Sequence, residues 1–180
     1  MGLMLQRPKR NKKTQNTRAP RYLVLHIKVR WEFYSSFQVP FGFSVLGIIS
    51  HNKEGVKRLN KAFGRSLCAK NIHDVLTNFI RLDTEQSILV ANIFLEKLEE
   101  FIDFFSSQRH YHLYASSLLF VYDFASLQEG NLEQFKGTVR LKLIDFAHVF
   151  PANGLGDDNF IFGLKNLSDL FRKFIADQTT

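Results

Sequence analysis

The longest periodic segment of this sequence runs from about Thr84 to Ser107 and predicts a single long helix. Asp83 is placed to cap its N-terminus, and Gln86 follows three residues later, as in a capping box. A helix of this length usually buries one face against a sheet, so the chain is expected to pack helices on strands. The predicted apolar stripe consists of Ile88, Leu95, Leu98, Ile102 and Phe105.

The segments around this helix predict a mixed architecture. Strands are expected at 22–31, 41–49, 112–122 and 138–146. Further helices are expected at 71–80, capped by Asn71, and after Asp158, with a face of Phe160, Leu164, Leu167, Phe171 and Phe174. Residues 53–70, rich in Lys and Arg, and the polar residues 123–137 read as connections. The fold class is therefore α+β, with helices packed on a small antiparallel sheet.

Positive charge is concentrated at the start of the chain. Residues 1–21 contain seven basic residues and no acid, which accounts for the whole net charge of +7. Residues 22–180 are formally neutral and form the expected folded domain, whereas residues 1–21 are expected to be a disordered tail. Residues 7–21 would contact nuclear import factors or polyanions, or would simply be solvated without a partner.

Composition excludes several classes of protein. Cys68 is the only cysteine, so an intrachain disulfide or a cysteine-built zinc site is ruled out. No apolar run reaches the roughly 18–20 residues of a membrane span, and the first residues lack the apolar region of a signal peptide. We therefore expect a soluble protein of the nucleus, the cytoplasm or both.

Polar residues interrupt two apolar strands and are the candidates for catalytic or ligand-binding roles. Ser116 and Ser117 stand within one strand, and a buried hydroxyl needs a partner. If both were structural, one would bond to backbone and the other would face solvent. Asp145 lies between Ile144 and Phe146, where an ionised carboxylate needs a cation such as magnesium. His148 would contact an anionic group or transfer a proton, or would be structural.

These residues fall within motifs that resemble the inositol polyphosphate kinase family. ASSLLFVYD at 115–123 is similar to its SSLL element, and LIDFAHVFP at 143–151 is similar to its IDF element followed by Ala-His. DDNFIFGLKNL at 157–167 resembles its closing acidic loop and Gly-Leu-x-x-Leu helix, and FGFSVLGI at 41–48 resembles its GF-x-V-x-G strand. FGRSL at 63–67 resembles a segment of the family's multikinase branch. The likeness covers roughly residues 41–175.

The resemblance implies the C-terminal lobe of a kinase-like fold that uses ATP and Mg²⁺ to phosphorylate inositol polyphosphates. Asp145 matches the metal-binding aspartate, and His148 matches a histidine that contacts the inositol phosphate. Leu119 and Ile144 match apolar residues beneath adenine. Ser116 and Ser117 match serines that order that site. Catalysis in such enzymes depends on positioning and charge neutralisation.

The sequence also departs from the family pattern. The inositol-binding motif Pro-x-x-x-Asp-x-Lys-x-Gly, which supplies an aspartate and a lysine near the reacting phosphate, is absent from residues 22–40. The nucleotide-binding N-terminal lobe is also expected to be missing. Two alternatives to the kinase therefore stay open. One is a shortened, inactive member that acts as a binding or interaction protein, and the other is a nucleic-acid-associated module led by the tail.

Overall fold

The computed structural model describes residues 22–29, 41–52 and 55–179. The predicted basic tail at 1–21 and the last two residues of the predicted strand 22–31 lie outside the described residues. Within the described part, no helix is long and apolar enough to cross a membrane.

Seven strands and six helices make up the described part of the chain, and the fold is α+β as the sequence predicted. The strands are β1 (Tyr22–Val29), β2 (Phe43–Asn52), β3 (Gly55–Leu59), β4 (Tyr111–Leu113), β5 (Ser117–Asp123), β6 (Arg140–Ile144) and β7 (Val149–Pro151). The helices are α1 (Lys61–Ser66), α2 (Asp74–Phe79), α3 (Thr84–Ser107), α4 (Phe124–Gln128), α5 (Leu132–Lys136) and α6 (Asp158–Gln178).

Five of these strands form one antiparallel sheet in the order β3-β2-β1-β5-β6, and β4 pairs separately with β7. The first strand in the chain is therefore the central strand, flanked by β2 and β5. Since β1 and β5 are nearly a hundred residues apart in the sequence, the sheet depends on non-local pairing.

The long helices begin and end where local sequence signals place them. The Asp83 side chain accepts from the backbone N–H of Gln86, which confirms the predicted cap and the start of α3 at Thr84. Helix α6 begins at Asp158, one residue earlier than expected, because Asp158 itself was predicted as the cap. Its cap is Asp157, whose carboxylate accepts from the N–H groups of both Phe160 and Leu113. Asp157 therefore ties α6 to β4 as well.

Aromatic rings fill the core between the sheet and these two helices. Phe94 of α3 contacts Phe79, Phe120, Tyr122 and Phe171, with ring centroids 5.4–6.2 Å apart. All five residues are fully buried. Burial raises the pKa of the Tyr122 hydroxyl far above its ordinary value, because the phenolate would be desolvated. Every residue of the predicted α6 face is likewise buried.

The predicted stripe of α3 was only partly right. Leu98 and Phe105 are buried, but Ile88, Leu95 and Ile102 are half-buried. The residues most deeply buried on this helix include Val90, Ala91 and Phe94. The helix packs against α6 as well as the sheet core, so its buried surface is wider than a single stripe.

Several predicted boundaries were also wrong. The expected connection 53–70 contains strand β3 and helix α1, and 123–137 contains α4 and α5. Helix α2 begins at Asp74 because Asn71 instead accepts from the N–H of Cys68, closing the preceding turn. The expected strand 112–122 is broken at Ala115, whose φ of 57° is left-handed and ends β4 before β5 begins.

Candidate functional site

Polar side chains collect on one face of the central strand. Along β1, alternate residues are buried in the helical core, ending with Ile27 and Val29. His26 and Lys28 lie on the opposite face and are half-buried. Because successive side chains of a strand point to opposite faces, these two residues share the face that the core helices leave uncovered.

Lys28 and Asp145 form an ion pair at the edge of this face. The Lys28 Nζ lies 3.2 Å from an Asp145 carboxylate oxygen, and the two side chains are 21% and 46% exposed. Asp145 directly follows β6 and has a left-handed backbone with φ 65°. The apolar surroundings expected for this carboxylate are absent among the described residues, because its side chain is exposed. The turn carries Asp145 out of the strand, and a lysine supplies the opposite charge.

Strand pairing places further candidate residues in a row beside this pair. Lys28 lies opposite Ser117 on β5, and Ser117 lies opposite Ile144 on β6. Asp145 therefore follows directly after the end of the row. The half-buried Leu119 lies opposite His26, one step further along the same face. The register thus brings Ser117, Leu119, Ile144 and Asp145 together around β1.

Both serines of the SSLL element are buried. The Ser116 carbonyl accepts from the N–H of Val29, 3.0 Å away, which extends the pairing of β1 and β5. Neither hydroxyl has a hydrogen-bond partner within the described residues, and neither faces solvent. The structural alternative, with one serine bonded through its side chain and the other solvated, is therefore wrong.

His148 lies beyond β6, three residues after Asp145. Its ring is exposed, and its carbonyl accepts from the N–H of Tyr114 across the turn that precedes β7. The backbone thus holds the residue in place, while the imidazole makes no hydrogen bond within the described part of the chain. An exposed ring near Asp145 in sequence suits contact with an anionic ligand.

The donor set at Asp145 fits a magnesium–nucleotide complex better than an all-protein metal centre. Among the described residues, no group of three or more His, Cys, Asp or Glu side chains could hold a metal ion. Magnesium in nucleotide sites typically uses one or two carboxylates and completes its octahedron with phosphate oxygens and water. Asp145, exposed and next to a cationic Lys28, meets that requirement.

Comparison with known proteins assigns the chain to a family. The family model described as inositol polyphosphate kinase matches residues 26–172. The chain belongs to the inositol polyphosphate kinase family. One relative is the inositol polyphosphate multikinase IPK2 of Oryza sativa subsp. indica, which is 30% identical; the match covers 77% of this chain and 50% of that protein. Another is the inositol polyphosphate multikinase of Schizosaccharomyces pombe, which is 31% identical; that match covers 76% of this chain and 51% of the relative. The chain spans about half the length of these curated relatives.

Solved structures agree on the fold. The inositol phosphate multikinase Ipk2 of S. cerevisiae, crystallised with ADP and Mn²⁺, superposes with a TM-score of 0.70 at 21% identity, covering 86% of this chain and 78% of that one. A second inositol phosphate multikinase structure superposes with a TM-score of 0.66 at 23% identity, covering 84% and 79%. These similarities establish the kinase-like fold of the described domain.

The family match also reaches two site residues that the sequence analysis missed. It begins at His26, on β1, rather than near residue 41. If His26 is placed at the aspartate of Pro-x-x-x-Asp-x-Lys-x-Gly, Lys28 stands at its lysine, while Tyr22 and Arg30 replace the proline and glycine. The literal motif is absent. A search for its Asp-x-Lys spacing that also accepted histidine at the first position would have identified Lys28. With this placement, the lysine is the only one of the motif's two charged residues that the chain retains.

The electrostatic surroundings on this face shift the pKa of His26. Burial, aided by the nearby Lys28 and Lys61, lowers the pKa of the imidazole below its ordinary value, although Asp145 acts in the opposite direction. The ring is therefore neutral at pH 7. Its Nε2 is shielded from solvent and has no partner within the described residues. The site thus contains the Lys28 ammonium, the Asp145 carboxylate and the neutral His26 imidazole.

Proposed function

We propose that this protein takes part in the ATP-dependent phosphorylation of inositol polyphosphates. The observation that carries the proposal is the meeting of Lys28, Ser117 and Asp145 on one face of the sheet, in a chain of the inositol polyphosphate kinase family. Phosphoryl transfer requires positioned cations around the phosphates more than covalent chemistry, and this face provides a lysine and a carboxylate suited to Mg²⁺.

Each candidate residue has a distinct role in this proposal. Asp145 would hold Mg²⁺, which would neutralise charge on the phosphates of ATP. The half-buried Leu119 and Ile144 would contact adenine, and Ser116 and Ser117 would help to order that site. The exposed His148 would contact the inositol phosphate.

A second candidate function is a catalytically inactive binding protein. The observation that favours it is the absence of the literal Pro-x-x-x-Asp-x-Lys-x-Gly motif, since with Lys28 placed at its lysine the aspartate position holds His26. Loss of one preorganised group in an active site typically lowers turnover by about a hundredfold to a thousandfold. On this reasoning the chain alone would be a poor kinase that still binds its ligands.

One assay separates the two functions. The purified chain would be incubated with radiolabelled ATP, Mg²⁺ and a panel of inositol phosphates, with Asp145→Asn as the matched inactive control. Turnover on the order of one per second or more would establish a normal kinase. Calorimetric binding of an inositol phosphate without turnover would support the binding protein. Failure of both ATP and every inositol phosphate to bind would refute the proposal.

The basic residues 7–21 form the basis of a separate proposal about location. We infer that they act as a nuclear import signal, since seven basic residues without an acid precede a neutral domain. A tagged protein lacking residues 1–21 is expected to lose nuclear accumulation. If it still concentrates in nuclei, the import role is wrong.

A further inference from the structure

Helices α3 and α6 leave an open groove between them on the helical side of the molecule. Both helices pack on the core face of the sheet, where Phe94 and Phe171 contact Phe120 of β5. The groove has a volume of about 450 Å³. Its lining residues are Glu99, Ile102 and Asp103 of α3 and Lys165, Asp169 and Arg172 of α6. Because the candidate site occupies the opposite, uncovered face of the sheet, a partner in this groove would leave that site accessible.

Arg172 joins the two walls of the groove. Its guanidinium donates one hydrogen bond to Glu99 of α3 at 2.8 Å and another to Asp169 of its own helix at 2.9 Å. Charge-assisted bonds of this kind have a defined geometry, so they set the spacing between α3 and α6 at this point. These three charged groups thus have partners within the chain.

The other two charged groups of the groove, Asp103 and Lys165, are unpaired. Both side chains are exposed, and neither has a hydrogen-bond or ion-pair partner in the part of the chain that the structure describes. They lie on opposite walls, both of them between the two ring contacts that join the helices. An occupant that pairs with both must therefore present a cation to α3 and an anion to α6.

A second copy of the chain meets this requirement by symmetry. A two-fold axis along the groove exchanges its walls, so Asp103 of each copy faces Lys165 of the other. Exposed ion pairs alone contribute little affinity, and Phe162 adds an apolar contact. This ring is 47% exposed and precedes Lys165 by three positions, so it lies on the same side of α6. Aromatic side chains are enriched in protein–protein interfaces.

We propose that the α3–α6 groove is a self-association surface, through which two copies of this chain form a symmetric dimer with reciprocal Asp103–Lys165 ion pairs. Charge complementarity carries the choice of partner. A uniformly acidic partner would be repelled by Asp103, and a uniformly basic one by Lys165, whereas a second copy satisfies both. The dimer is independent of the proposed function, because neither residue belongs to the candidate site.

Sedimentation velocity of the full chain over a range of concentrations tests the dimer. We expect the wild-type chain to dimerise reversibly as its concentration rises. Asp103→Lys and Lys165→Asp should each weaken dimerisation about tenfold or more, because each change turns both reciprocal attractions into repulsions. Glu100→Lys is the matched control, since it makes the same charge change on an exposed position of α3 outside the groove. It should dimerise as the wild-type chain does.

Mixing the two variants provides the second arm. In an equimolar mixture of Asp103→Lys and Lys165→Asp, both contacts of the heterodimer again join a cation to an anion. The mixture should therefore recover dimers that neither variant forms alone, which would also show that both variants are folded. The proposal is overturned if the wild-type chain stays monomeric up to its highest soluble concentration, or if the mixture behaves as two separate monomers. Dimers that persist in both single variants would place the interface elsewhere and reject the groove.

Discussion

Substitution of Asp145 by asparagine separates metal binding from folding stability. The carboxylate is 46% exposed, and its pair with Lys28 belongs to the class of partly solvated ion pairs worth about 0–1 kcal/mol. Asparagine keeps an oxygen that can accept from Lys28, and it tolerates the left-handed φ of 65° well. The free energy of unfolding should therefore change by less than about 1 kcal/mol, which is a Tm shift within about 4 °C for a chain of this size.

Binding of magnesium–ATP should respond much more strongly to the same substitution. Removing a group that only orients a metal ligand commonly costs about 10–100-fold in metal affinity, and the loss of a ligand's charge should cost no less. Calorimetric titration with magnesium–ATP and thermal unfolding are therefore measured side by side. Asp169→Asn is the matched control, since this exposed carboxylate pairs with Arg172 at 2.9 Å, away from the site.

A third variant tests the backbone part of this reasoning. Asp145→Ala removes the acceptor for Lys28 and places alanine in a left-handed conformation, which costs about 1–2 kcal/mol by itself. It should unfold at a lower temperature than Asp145→Asn. The reasoning is refuted if Asp145→Asn loses several kcal/mol of stability while its affinity for magnesium–ATP stays at the wild-type value.

The remaining predictions concern the scaffold and are checked by chemical denaturation. Gly64→Ala should lower the free energy of unfolding by about 3 kcal/mol or more, since the added Cβ would overlap the carbonyl oxygen of Val45. The control Ala62→Gly, in the same helix, should lower it by at most about 1 kcal/mol. Asp83→Ala should cost about 1 kcal/mol by removing the α3 cap, and the exposed Glu96→Ala should be nearly neutral. Phe94→Ala should cost about 3–5 kcal/mol because four aromatic rings surround it, and a loss below 1 kcal/mol would contradict the described core.

Much of the helical structure could be predicted from the sequence because helices depend on nearby residues. The bounds of α3 and its Asp83 cap follow from signals within three or four positions. The apolar face of α6 follows from its periodicity. Family membership also rested on short contiguous motifs, such as those containing Ser117 and Asp145.

The short elements were harder to predict because turn, helix and strand conformations of the same few residues are close in energy. Asn71 is a good helix cap by residue type, but here it closes a turn, and α2 begins later. Ala115 has no sequence signal for a left-handed backbone, so the break between β4 and β5 could not be read from its apolar run. At Asn71 a local side-chain hydrogen bond to the turn won over the helix cap.

The sequence by itself therefore determined the α+β class, the long helices with their caps and the family to which the chain belongs. Only the tertiary structure brought Lys28 to Asp145, which are 117 positions apart, and placed Lys28 opposite Ser117 of β5. The physical reason is that a helix closes its hydrogen bonds between residues four apart, whereas strand partners are chosen over the whole chain. The contacts of the site are of the second kind, because Lys28 meets Ser117 and Asp145 through the pairing of β1 with β5 and of β5 with β6.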